Sequence, residues 1–113
     1  MNKTRLKKIN KSLDEIRAII SEIDKIGEND IKTKLSEIVT QLKMLQDEEK
    51  DAFCEKMCPS MEMMGWHFDF MHIYELGLSK IEHCISDDLD GAELTENLTQ
   101  AIKIIENACD PNH

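Results

Sequence analysis

Between Cys54 and His72 the chain reads CEKMCPSMEMMGWHFDFMH, nineteen residues that hold two cysteines, two histidines, five methionines and three large aromatic side chains. Thiolates and imidazoles are the ligands zinc favours, so Cys54, Cys58, His67 and His72 form the candidate metal-ligating set. A spacing of four places Cys54 and Cys58 on one helix face. The distances argue against completing the site. If the chain reverses at Pro59, His67 stands roughly 12 Å from the level of Cys58 and Cys84 about 30 Å away, at about 1.5 Å per helical residue. Zinc holds its donors within about 2.0–2.3 Å of one point. The expectation is no metal and no cofactor, with Cys54 and Cys58 acting as small apolar residues at a hairpin corner. A zinc or redox module built on Cys54 and Cys58 with His67 and His72 is the alternative.

Other chemistries find fewer of their parts. Asp69 and His72 make one carboxylate-x-x-His pair, whereas a di-iron bundle needs two such pairs and two further carboxylates. The acidic run Asp47-Glu48-Glu49-Lys50-Asp51 misses the EExxE motif of all-helical nucleotide pyrophosphohydrolases, because position 52 is Ala and no ExxD follows. There is no Gly-rich phosphate loop and no nucleophile elbow. Cys54 lies next to Glu55 near a predicted helix C-terminus, where a thiolate is disfavoured. No catalytic residues are assigned, and the chain is expected not to be an enzyme.

The elements that must position these residues are read from periodicity. The composition, with 33% charged residues, four Gly and two Pro in 113 residues, is that of a single helical domain. Leu6, Ile9, Leu13, Ile16, Ile20 and Ile23 recur at steps of three and four and predict a first helix over about 3–26. A second stripe, Ile31, Leu35, Ile38, Leu42 and Leu45, predicts a helix over about 30–57. The two stripes are out of phase by one residue at Gly27-Glu28-Asn29-Asp30, which reads as a turn with Gly27 just past a helix end and Asn29 or Asp30 as N-cap. One long helix with a phase slip is the alternative. Cys58-Pro59-Ser60 opens a third helix over about 60–86. Asp90-Gly91-Ala92-Glu93, flanked by Leu89 and Leu94, has the spacing of a capping box with a hydrophobic staple and opens a fourth over about 91–109. The expected fold is all-α, an antiparallel four-helix bundle or paired helical hairpins.

The third helix carries the functional expectation. Its core stripe is read as Met64, Phe68, Met71, Leu78, Ile81 and Ile85, with Tyr74 alongside. A second apolar stripe, Trp66, Phe70, Ile73 and Gly77, lies on nearly the opposite face, and Met63 belongs to the same Met-rich stretch. A helix apolar on two faces must be buried on both, which asks for a second copy of the chain or another protein. The competing reading makes this helix the central element of its own bundle. The interaction residues so expected are Met63, Trp66, Phe70, Ile73 and Gly77.

Charge is divided unevenly. Residues 1–50 have a net charge of +1 and residues 51–113 of −10. The basic start, Lys3, Arg5, Lys7, Lys8 and Lys11, faces the acidic end of the second helix if the chain folds back at Gly27, setting Arg5 near Asp51, Lys7 near Glu49 and Lys8 near Glu48. Nucleic acid is not expected as a partner, since no aromatic is interleaved with the basic residues. An acidic decoy that mimics nucleic acid is a further alternative for the −10 half. No stretch reads as a signal or a membrane span, so the expected location is cytoplasmic, with reduced thiols.

The segment Gln46-Asp47-Glu48-Glu49-Lys50-Asp51-Ala52-Phe53, followed by the Pro59-Ser60 turn and a returning helix, resembles small helical-hairpin proteins of unassigned function encoded by phages and prophages. The likeness spans about a third of the chain. It implies a phage-related accessory protein that acts by binding, and it identifies no target and no catalytic residue. Self-association, or binding that inhibits or regulates a protein partner, is the expectation attached to the third helix.

Overall fold

The computed structural model describes residues 1–56 and 58–111 as four helices, α1 (Lys3–Ser21), α2 (Glu28–Cys54), α3 (Met61–Ser86) and α4 (Gly91–Cys109). Each helix lies against its neighbours in chain order and α1 closes on α4, with no diagonal contact among the described residues. The result is an up-down-up-down bundle measuring 50 × 20 × 20 Å. The expected end of the second helix at residue 57 lies outside the described residues.

Caps fix the helix starts. The side chain of Asn2 accepts from the backbone of Thr4 and Arg5, Ser60 accepts from Met63, and Asp90 accepts from Glu93 at 2.8 Å. Leu89 and Leu94 lie on the core beside Asp90, completing the staple. The first turn departs from expectation. α1 stops at Ser21, five residues early, and Glu22 to Ile26 form tight turns in which Lys25 and Ile26 donate to the Glu22 carbonyl. Ile23 and Ile26 still touch the core, so the apolar rhythm outlasts the helix. Gly27 is the N-cap of α2 in an extended conformation, not the end of α1.

One core runs through the bundle, with Ile9, Leu13, Ile16, Leu35, Leu42, Phe70, Tyr74, Leu78, Leu98 and Ile105 among its buried members. α3 keeps the expected stripe in its second half, where Tyr74, Leu78 and Ile81 are buried, but its first half is turned from the expected phase. Phe70 is fully buried and Phe68 is 66% exposed, the reverse of the expected assignment. Gly77, Leu78, Ile81 and Cys84 complete the buried face. Two contacts impose this rotation. The Tyr74 hydroxyl donates to the Leu42 carbonyl at 2.7 Å inside the core. A Cβ on Gly77 would stand 2.5 Å from Ile105 Cγ1, so the absent side chain is what lets α4 approach.

Ion pairs tie the helices from outside. Arg5 reaches Glu49 at 2.6 Å and Glu48 at 3.7 Å, with both Arg5 and Glu49 side chains mostly buried. The expected fold-back is therefore formed, but two or three residues out of the expected register. Arg5 takes both carboxylates, and neither Lys7 nor Lys8 joins an ion pair among the described residues. Arg17 with Glu106 and Lys43 with Glu82 add exposed bridges between α1 and α4 and between α2 and α3. Such exposed pairs are worth about 0.2–1 kcal/mol each.

The rotation of α3 gives two expected outcomes in chemical unfolding. Phe70→Ala removes a fully buried ring and loses about 3–5 kcal/mol, whereas Phe68→Ala stays within about 0.5 kcal/mol of the parent. Gly77→Ala pushes α3 from α4 and loses about 1–3 kcal/mol. Equal losses at Phe68 and Phe70 would contradict this placement of the helix.

Candidate interaction surface on α3

α2 and α3 have 27 and 26 residues, whereas α1 and α4 have 19 each. At about 1.5 Å per residue the inner hairpin is roughly 10 Å longer than its partners. The excess of α3 falls mainly at its first turns, and α2 overruns the start of α1 at the same end. Arg5, near the start of α1, pairs with Glu48 and Glu49, and the Trp66 indole donates to the carbonyl of Asp110, just past α4, at 2.9 Å. The last turn of α2 and the first turn of α3 thus stand beyond the ends of α1 and α4.

This projecting hairpin holds the opening cluster of chemical groups, but disperses it. Cys54 and Cys58 are exposed free thiols. His67 is buried against α2, its ring stacked on Phe53 at 3.9 Å and 4°. His72 is exposed on the outer face of α3. Among the described residues no group of three or more His, Cys, Asp or Glu converges as a metal site. Cys84 and Cys109 belong to the interior, where burial raises their thiols to about 11 and about 12, with the charge of Glu49 adding to the effect at Cys109. They are held in the protonated, weakly nucleophilic form.

The five residues expected to face a partner have different positions. Phe70 and Gly77 are core residues of the chain itself and have no surface to offer. Trp66 and Ile73 are half-buried, Trp66 stacking on Phe70 at 5.3 Å and both packing on the core. Met63 alone is exposed, at 37%. The face expected to await a partner is covered by α4.

A different apolar surface takes its place. Met61 is 85% exposed, Phe68 66% and Leu76 50%, and with Gly65 and His72 they follow one line along the outside of α3. Residues 61, 65, 68, 72 and 76 share a helix face at about 100° per residue. A Cβ on Gly65 would meet nothing within 4 Å, so this line is open along its length. Half-buried Met64 and Met71 border it on the α2 side. Two acids, Glu62 and Asp69, stand on its α4 flank, and Glu75, which accepts from Gln46 at 3.1 Å, stands on its α2 flank. Phe68 and Met64 were read as core. The signal that marks their true side is the interleaved polar set Asp69, His72, Glu75, Ser79 and Glu82, which is incompatible with a buried stripe.

Among the described residues the other surface grooves bring together no group of three or more His, Cys, Asp or Glu able to hold a metal ion. The cleft between α1 and α2 has three carboxylates, Glu15, Glu22 and Glu37, and one ammonium, Lys34, around a floor of Ala18, Ile19, Ile26 and Ile38. Among the described residues no helix is long and apolar enough to cross a membrane. No protein-family model matches the chain, and no curated protein or solved structure matches it.

His67 provides the pH test of this end of the bundle. Burial lowers its pKa below 6.5, the Glu49 charge opposes that shift, and Lys50 and Lys56 add to it. Its Nδ1 is buried without a hydrogen-bond partner among the described residues. With the folded pKa below the unfolded one, the unfolded chain binds more protons at mildly acidic pH. The stability owed to neutral His67 is complete above about pH 6.5 and is lost as the pH falls toward the folded pKa. Thermal melts from pH 7.5 to 5.5 are expected to fall further for the parent than for His67→Phe, which keeps a ring on Phe53 and cannot titrate. Parallel pH dependence in the two proteins would show that His67 is not held neutral.

Proposed function

We propose that this protein is a non-enzymatic protein–protein interaction module that works through the outer face of α3. The observation that carries the reading is the exposure of Phe68 between Met61 and Leu76. An isolated surface leucine needs no explanation, but a phenylalanine and two long apolar side chains aligned on one helix face mark a contact surface. Aromatic residues and methionines are enriched at interface centres, and methionine adapts its shape to what it meets. The interaction so proposed replaces the face centred on Phe70 with the one centred on Phe68.

The cytosolic placement is supported by four free cysteines, two of them exposed, a state that a reducing compartment maintains. The resemblance of the Gln46–Phe53 segment to phage-encoded helical hairpins supports an accessory protein that acts by binding. The zinc or redox alternative loses its supporting geometry once His67 stacks on Phe53 and His72 faces outward.

A photo-crosslinking residue introduced in place of Phe68 tests the reading in an extract of the native host. A discrete protein adduct is expected at position 68, and none from the same residue in place of exposed Gln100 on α4. Absence of any adduct at position 68, together with a monomer in sedimentation at high concentration, would remove the proposal.

A further inference from the structure

We propose that the occupant of the outer α3 face is a basic amphipathic helix of another protein. This rests on the reading of that face as an interaction surface and adds the chemistry of the partner. The exposed line from Met61 to Leu76 spans fifteen residue steps, about 23 Å or four helical turns at about 1.5 Å per residue. Gly65 lowers it near one end, where another backbone can approach. A second helix laid along this line meets Met61, Phe68 and Leu76 with apolar residues spaced at three and four, the helix-on-face mode of recognition.

Charge selects which helix. α3 carries Glu62, Asp69, Glu75 and Glu82 against a single lysine, half-buried Lys80. Of the cations nearest α3, Lys43 is bonded to Glu82 at 3.0 Å, and Lys50 and Lys56, whose charges act on His67, have Asp51 and Glu55 beside them in the chain. Glu62 and Asp69 on one flank, with Glu75 on the other, complement lysines or arginines placed on both sides of an apolar stripe. The same acids disfavour other occupants. A second copy joined through this face would set Glu62, Asp69 and Glu75 against themselves, and nucleic acid or an anionic lipid surface would meet like charge.

The probe is a twenty-residue helix-forming peptide of leucine and lysine with leucines spaced at three and four, titrated into the labelled full chain and followed by backbone amide shifts. Two control peptides have the same leucine and lysine content in strict alternation, or the same leucine pattern with glutamate for every lysine. The patterned basic peptide is expected to shift residues 61–76 and to bind at least tenfold tighter than either control. Phe68→Glu is expected to weaken it at least tenfold, as is the combined Glu62→Lys, Asp69→Lys and Glu75→Lys variant, which should then prefer the acidic peptide. Both variants change exposed residues, and unchanged circular dichroism confirms their folding. Equal binding of patterned and alternating peptides, shifts confined to other helices, or no peptide binding would overturn the proposal. So would a dimer dispersed by Phe68→Glu. An adduct at position 68 with an acidic protein or a second copy would overturn the basic helix and leave the interaction reading standing, whereas no adduct at all would remove that reading itself.

Discussion

The close approach of α3 and α4 at Gly77 governs the rest of the molecule. With Ile105 Cγ1 only 2.5 Å from where a Cβ would be, the two helices meet there backbone to side chain. That contact fixes which side of α3 faces inward. Once Gly77 points at α4, helical geometry carries Phe70, Ile81 and Cys84 to the interior and turns Phe68, His72 and Leu76 away from it. Tyr74 adds the second constraint, its hydroxyl reaching the Leu42 carbonyl and holding the orientation toward α2. The buried hydroxyl is satisfied there, and burial keeps its pKa well above the usual phenol value. The surface on which the functional reading stands is therefore a consequence of packing on the opposite side of the same helix.

At the projecting end the bundle depends on polar groups as much as on apolar ones. Arg5 and Glu49 are both largely withdrawn from water, a costly arrangement that is tolerable because the pair is short and Glu48 stands close by. His67 is kept neutral beside them by burial, stacked on Phe53 where a charged imidazolium would lose its hydration. Beyond this layer only α2 and α3 continue, with exposed thiols and methionines between them. The end that offers the apolar surface is also the end with the fewest helices to support it.

Most of the scaffold was legible in the sequence because α1, α2 and α4 each have one apolar stripe and one polar face. Asp90 and Glu93 marked the start of α4 to the residue, and the basic start of α1 with the acidic end of α2 foretold their pairing, two or three residues out of register. The break near Gly27 was misplaced because Ile23 and Ile26 keep the apolar rhythm through a stretch that has left the helix, burying side chains from turns. Leu78 and Ile81 were read correctly, but the phase of the first half of α3 failed for a different reason. From Met63 to Ile73 apolar residues occur on every side, so burial preference alone gives two solutions for its rotation. What decides between them is the fit of Gly77 to Ile105 and Ala101, a contact between helices 24 and 28 residues apart in sequence. Periodicity within one helix contains no information about it.

The ambiguity of α3 and its proposed role have a common origin. A helix that only had to complete a four-helix core would carry polar residues at positions 61, 68 and 76, and its phase would have been readable. The apolar side chains there contribute little to the core, since they lie outside it, while aligned exposed hydrophobics favour unwanted association. Natural sequences are locally consistent with their folds except where something other than folding is being served. The interleaved acids then have two effects in one place. They oppose contact of this face with itself through like-charge repulsion, and they leave the apolar line open to a surface of opposite charge. A face built for a partner is thus the physical reason that the sequence of α3 supports two phases while the structure, through one glycine, adopts one.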